Sequence, residues 1–265
     1  MVRHRMAGVC ALAIMIASAA WADKAWADDR TVCKPDAMES ATVRSVTDGR
    51  TVVLGDGREL RLPGIEVPAG DDTTAAAREM LEKRLAGQEV RLLRMGPDTD
   101  RYGRLVAGIA VAGDEKPVQL ALLSEGLALT ASTAATTGCG AAFLSAEKAA
   151  RAAGFGLWKA AYYAKTRAED PSGILAFRGH FAVVEGKVLS VRESGGTIYV
   201  NFGRRWSEDF TVTTLKRNER TFEAAGLPLK KLAGRRVRVR GTVEERGGPW
   251  IEAIHPGQIE IAEQP

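Results

Sequence analysis

An excess of one charge sign, histidine, cysteine and long apolar runs are all scarce in this sequence, and each scarcity narrows the choice of function. Lys and Arg number 37 against 33 Asp and Glu over 265 residues. Without the first 27 residues the net charge falls to about +2, and a division near residue 172 leaves about −2 before it and +4 after it. Neither part is basic enough to announce nucleic-acid binding by charge alone. His180 and His255 stand far apart, with no cysteine or carboxylate at ligand spacing, which argues against a histidine metal site. One apolar run, Met6 to Ala20, is present, and about fifteen residues is short for a membrane span. No later run is long enough, so no span is expected in the mature chain.

What is there begins with that run. Arg3, His4 and Arg5 precede it, and Ala20-Trp21-Ala22 and Ala25-Trp26-Ala27 follow as small-residue cleavage patterns, so residues 1–27 read as a secretory signal and the mature protein as periplasmic or secreted. Cys10 precedes most of the apolar core, which argues against a lipoprotein acceptor. Cys33 and Cys139 survive export. In an oxidising compartment an even, isolated pair forms one bridge, here tying the N-terminal segment to the Thr137-Gly138-Cys139-Gly140 loop; separate thiols or an intermolecular link are the alternatives.

The length suits two ordinary domains or one large one. Thr42 to Val46, Thr51 to Leu54 and Glu59 to Leu62 read as a three-strand meander, with Gly55-Asp56-Gly57 as a turn. An Ala-rich helix follows the N-cap cluster Asp71-Asp72-Thr73-Thr74, turns Met80, Leu81 and Leu85 inward and stops at Gly87. Strands Glu89 to Met95 and Leu105 to Val111, separated by a Gly96-Pro97-Asp98 turn, complete five, and helices Pro117 to Glu125 and Ala141 to Ala153 close the base. The expected class is mainly β with helices (α+β): a five-stranded barrel of oligonucleotide-binding (OB) type over residues 41–160.

Four segments carry a family resemblance: Thr47-Asp48-Gly49-Arg50-Thr51-Val52, Arg61-Leu62-Pro63-Gly64-Ile65-Glu66-Val67-Pro68-Ala69, Thr99-Asp100-Arg101-Tyr102-Gly103-Arg104 and Gly156-Leu157-Trp158. In order and spacing they resemble the secreted thermonucleases of the staphylococcal nuclease-like family. The resemblance implies a barrel that cleaves nucleic-acid phosphodiesters with a carboxylate-held calcium, a glutamate base and two phosphate-binding arginines. Those arginines fall on Arg61 and Arg104, with Arg101 and Tyr102 beside them as nucleic-acid contacts. Of the metal-binding positions only Glu66 keeps a carboxylate, with Asp48 nearby, because Arg50 stands at the first and Val67 replaces a neighbouring threonine. The base position falls on Ala69, which has no proton acceptor. Asp71 and Asp72 follow in the next loop, and Ser132 and Ala134 stand where stacking tyrosines belong.

These departures imply an exported, degenerate nuclease with weak or no phosphodiesterase activity, no required cofactor, and a retained surface for nucleic acid, nucleotide or a protein partner. A calcium-dependent nuclease with a rearranged site, its acid and base drawn from Asp48, Glu66, Asp71 or Asp72, is one alternative; a structural protein of the cell envelope is another. Arg50 is expected in the lost metal's place, paired with Glu66 and near Asp48, since a guanidinium offers forked donors to carboxylates.

Residues 161–175 read as a linker, with a break at Asp170-Pro171-Ser172-Gly173, and residues 176–265 as a second small OB-like barrel. Its expected strands are Phe181 to Val188, Thr197 to Phe202, Asp209 to Val212, Arg236 to Gly241 and Ile259 to Ile261, with a helical stretch from Leu215 to Ala225. Alternation in Arg236-Val237-Arg238-Val239-Arg240 predicts valines inside and three arginines outside. With Lys230, Lys231 and Arg235 they form a basic stripe, and Tyr199, Phe202 and Trp206 are either stacking rings beside it or core. Weak single-strand binding at most is expected of this part.

Overall fold

A computed structural model describes residues 33–68, 71–131, 133, 137–159 and 166–262. The expected signal, residues 1–27, lies outside them, as do Ala69, Ser132, Ala134 and part of the expected linker.

The meander and the two later strands close into a barrel ordered β1-β2-β3-β6-β5, with β1 Ala37–Asp48, β2 Thr51–Leu54, β3 Glu59–Arg61, β5 Glu89–Thr99 and β6 Leu105–Val111. A short pair, β4 Ile65–Glu66 and β7 Leu129–Thr130, sits beside it. All barrel pairs are antiparallel except β3 with β6, which run parallel at the closure. Helix α1, Asp71–Leu85, buries Ala77, Met80, Leu81 and Leu85, the spacing of one helical face. Gly87 then turns the chain with φ 73°. Helices α2, Val118–Ser124, and α3, Gly140–Ala153, place Leu122, Leu123 and Phe143 in the same core.

Two boundaries depart from expectation. Strand β5 does not stop at Gly96-Pro97-Asp98 but runs on to Thr99, which pairs with Leu105 across an irregular register, so the reversal falls at Asp100–Arg104 instead. A Gly-Pro pair can bulge an edge of a ladder as readily as turn it. The Asp170-Pro171-Ser172-Gly173 break is a helix start. Asp170 caps α4, Pro171–Leu175, by accepting a hydrogen bond from the Gly173 amide at 2.9 Å, and Ile174 enters the second core.

That second core lies between a sheet ordered β13-β14-β11-β10-β9 and another ordered β15-β12-β8. The strands are β8 Phe181–Lys187, β9 Ser190–Ser194, β10 Thr197–Asn201, β11 Thr211–Leu215, β12 Arg236–Thr242, β13 Glu244–Arg246, β14 Gly248–Glu252 and β15 Ile259–Ile261, with α5, Glu219–Ala224, after β11. As in the first barrel, one parallel pair, β11 with β14, joins strands on either side of a helix. Chain and sheets together make a mixed α+β protein, an OB-like barrel followed by a second β domain.

The arginines of β12 do not form a solvent-facing stripe. Val237 and Val239 do point into the core, but on the opposite face Arg240 is buried against the first barrel, and Arg236 and Arg238 are held by carboxylates of their own domain. Arg240 is fully buried and grips Glu147 of α3, also fully buried, through Nη1 and Nη2 at 3.0 to 3.3 Å. Its Nη1 also donates to the Thr130 carbonyl at 3.0 Å, while the Thr130 amide donates to Glu147 Oε2 at 2.6 Å. Glu260 accepts from Arg240 and Arg238, Arg151 bridges Glu147 and Glu260, and Glu185 holds Arg236 and Arg238. Leu129 and Leu157 of the first part meet Val183 of the second in a small apolar cluster alongside. Alternation separates the two faces of a strand without saying which partner covers each, and here the partner that buries Arg240 is the first barrel.

Candidate functional site

The matched residues gather at one end of the first barrel. Asp48 ends β1, and its Oδ1 accepts the Arg50 backbone amide at 2.8 Å, closing the turn before β2. Gly49 is required there by space: a Cβ would lie 2.9 Å from Val67 Cγ1 and 3.0 Å from Ala77 Cβ. The tight turn throws the Arg50 side chain across β4, where Nη1 donates to the Ile65 carbonyl at 2.9 Å and ion-pairs with Glu66. The expected Arg50–Glu66 pairing is therefore present, and Asp48 contributes through the backbone of Arg50.

Arg61 ends β3. Its Nη1 donates to Thr51 Oγ1 at 3.0 Å and lies 3.6 Å from Asp48 Oδ2, leaving Nε and Nη2 without a partner among the described residues. Arg104 enters from the parallel neighbour β6, just before Leu105, which pairs with Leu60. Asp100 organises that turn: its Oδ1 accepts the amides of Tyr102 and Arg104 at 2.9 and 3.1 Å, and its Oδ2 accepts from Arg104 Nε at 2.8 Å. Arg104 Nη2 lies 2.7 Å from the same oxygen. Partial burial works against the Asp100 charge, but the Arg104 side chain and the two amides hold its carboxyl below the usual aspartate range.

Burial pushes the Arg61 guanidinium below the ordinary arginine range; the Arg50 charge adds to that, Asp48 opposes it and Arg104 adds again. Three guanidinium groups thus share one field, and an anion placed between Arg61 and Arg104 would relieve it. At the rim, Tyr102 is 67% exposed with the Arg101 and Arg104 guanidinium carbons 4.8 and 5.2 Å from its ring centroid. Arg101 Nη2 donates to the Tyr102 hydroxyl at 2.7 Å. Tyr102 is thus a largely exposed turn residue at the edge of the arginine cluster.

Residues 59–160 match the family model for staphylococcal nuclease homologues. The first barrel is a staphylococcal nuclease-like domain. The match begins at β3, so Asp48 and Arg50 lie upstream of it and the second β domain wholly downstream. No curated protein matches the chain.

Within this nuclease-like domain the described side chains do not make a calcium cage. Calcium takes six to eight oxygens, several from carboxylates. Here a guanidinium occupies Glu66, and among the described residues no group of three or more His, Cys, Asp or Glu is placed to hold a metal. Asp72, at the exposed start of α1, is not brought into hydrogen bonding with Arg50 or Glu66 among the described contacts. What the sequence did not disclose is the support behind Glu66. Strand β4 pairs with β7, Glu66 opposite Leu129 and Ile65 opposite Thr130, and Thr130 is the residue held by both Arg240 and Glu147. A buried ion pair joining the first barrel to the second β domain thus lies one strand away from the arginine cluster.

Proposed function

We propose that the nuclease-like domain binds the phosphates of nucleic acid or nucleotides without cleaving them, in an exported protein whose catalytic machinery has decayed. The observation that carries this reading is the Arg50–Glu66 pair: the cation that a carboxylate site needs is supplied by the chain itself. With a guanidinium on Glu66, and alanine at the base position, the matched positions offer no provider of water activation or Lewis-acid assistance among the described residues. Arg61 and Arg104 remain, with donors to spare, on adjacent strand ends. Arginine is the residue type suited to forked recognition of phosphate. The disulfide between Cys33 and Cys139 is what an oxidising compartment would produce, and it supports the exported reading.

The test is oligonucleotide binding in chelator by the full chain. A single strand is expected to bind weakly at low salt, with Arg61→Ala and Arg104→Ala each costing about tenfold, as loss of a charge-assisted hydrogen bond does. Each should also lower the salt dependence by about one counterion. Equal affinity of wild type and the Arg61→Ala/Arg104→Ala variant would contradict the reading. The Arg50–Glu66 pair is partly exposed, so Glu66→Gln is expected to cost no more than about 1 kcal/mol in stability.

A further inference from the structure

The register of the second domain's five-stranded sheet builds a groove on the side away from its core. Ile198 and Val200 of β10 face inward, so Tyr199 and Asn201 face out. Pairing carries that face across the sheet. Asn201 stands opposite Ser190 on β9 and Thr211 on β11, and Thr211 opposite Trp250 on β14, while Tyr199 stands opposite Arg192. The loop from Gly203 to Trp206 rises at one edge, and together these residues enclose a groove of about 430 Å³.

Three properties of the groove point to a ligand. Its only charged lining residues are Arg192 and Arg204, neither of which makes an ion pair among the described residues. Other charges near the sheet are already satisfied: Arg246 is held by Glu244 over the Trp250 ring, Arg205 pairs with Glu208, and Glu193 is tied to Lys216 and Lys230. Glu252 shares the face beyond Thr213 but does not line the groove. The walls are aromatic. Trp206 is 73% exposed, and Tyr199 and Trp250 meet edge to face with centroids 6.1 Å apart. The floor is polar and incomplete, since Thr211 is only 2% exposed and its hydroxyl, like the Trp250 indole N–H, has no hydrogen-bond partner among the described residues. Buried polar groups left unpaired are costly, and a ligand edge seated between them would complete both.

We propose that this groove binds one nucleotide unit of single-stranded nucleic acid, with the base against Trp206 and the Tyr199–Trp250 wall, its polar edge on Thr211 and Trp250, and phosphate on Arg192 and Arg204. A flat ring is what exposed indole faces take, and two guanidinium groups without ion-pair partners offer forked donors to an anion beside it. The volume is that of a small-molecule site and holds one such unit. Phe202, the remaining ring of the expected platform, is not part of it: it packs on the core against Phe210, with centroids 4.9 Å apart. The cations of the expected stripe are not part of it either, and Trp250 takes their place as the residue the sequence did not reveal.

The experiment uses the full chain carrying Arg61→Ala and Arg104→Ala, so that the first barrel's site does not enter the reading. Tryptophan fluorescence is followed in chelator at low salt as a short oligothymidylate, thymidine 5′-phosphate or an acidic oligosaccharide is added. Quenching by the oligothymidylate is expected, weakened about tenfold or more by Trp206→Ala and by Arg192→Ala/Arg204→Ala. These are surface positions, and unchanged circular dichroism and melting would show that the fold is kept. A nucleotide matching the oligonucleotide assigns the site to single units; a much weaker one assigns it to strands, and both support the groove. Tighter binding of the oligosaccharide, or oligonucleotide binding indifferent to Trp206 and the two arginines, would overturn the proposal while leaving the first barrel's reading intact.

Discussion

Replacing Arg240 with alanine is expected to destabilise the protein by about 3–5 kcal/mol, because the fully buried Glu147 loses its main partner and keeps only Arg151 and the Thr130 amide. For a chain of this size that is a fall in melting temperature on the order of 10 °C. The paired replacement Glu147→Leu/Arg240→Met removes both charges together and should recover much of the loss, since a buried ion pair and an apolar pair of similar volume are often nearly equivalent. Arg151 then keeps Glu260, and Arg236 and Arg238 keep Glu185, so no new charge is orphaned. Acid should reproduce the single mutant. Burial alone would raise the Glu147 carboxyl, but the Arg240 charge, the hydrogen bonds from Arg240 and the Thr130 amide hold it below the ordinary glutamate range. A carboxyl depressed in the folded state contributes stability that is complete above its unfolded value and is lost as pH falls through the folded one. Wild-type stability should therefore drop steeply below the ordinary glutamate range, and the Leu/Met variant less so. Thermal melts of the three proteins from neutral to acid pH check this; parallel pH profiles would mean that the pair carries no linkage.

The second large effect is expected from the disulfide. Cys33 and Cys139 lie 4.7 Å apart between Cα atoms and are 106 residues apart in sequence. Closing so long a loop is worth up to about 4.7 kcal/mol in the chain-entropy model, and removing a native bridge typically costs about 2–5 kcal/mol. The bridge also fixes the start of α3, where the Cys139 carbonyl accepts the Phe143 amide at 2.9 Å and the Cys139 amide donates to Thr137 Oγ1 at 3.1 Å. α3 carries Glu147, so loosening it weakens the hold on the second domain as well. Cys33→Ser/Cys139→Ser, or reduction of the wild type, should lower the denaturation midpoint accordingly, with little change of fold at neutral pH. A loss under 1 kcal/mol would mean that the unfolded chain is already compact across this loop.

The barrel was legible because its signals are local. The Asp-Gly turns after β1 and β2, the short β-branched runs that they separate, and the glycine ending α1 each state their structure within a few residues. The Arg50–Glu66 pair was legible for a different reason: a site of known geometry that loses a carboxylate and gains a guanidinium has few other ways to balance its charge. Long-range features were not. Arg240 reads as an exposed strand residue, and only the arrival of α3 from 93 residues earlier makes it the most deeply buried cation described. Strand β14 was hidden by Gly248-Pro249, which reads as a break in a strand; Gly248 is there because Glu208 and Asp209 backbone atoms pass within 2.7 Å of where its Cβ would be. With β14 hidden, Trp250 could not be placed beside Thr211, and the groove could not be seen.

The most direct measurement of the central claim is cleavage of single-stranded DNA and RNA by the purified protein in calcium and in chelator. The expected result is intact substrate under both conditions, with the family's base contribution of roughly 10²–10⁴-fold absent, and no gain of activity when calcium is raised. Calcium-dependent digestion that disappears in Glu66→Gln would contradict the account, because it would require Arg50 to leave Glu66 and a metal to take its place.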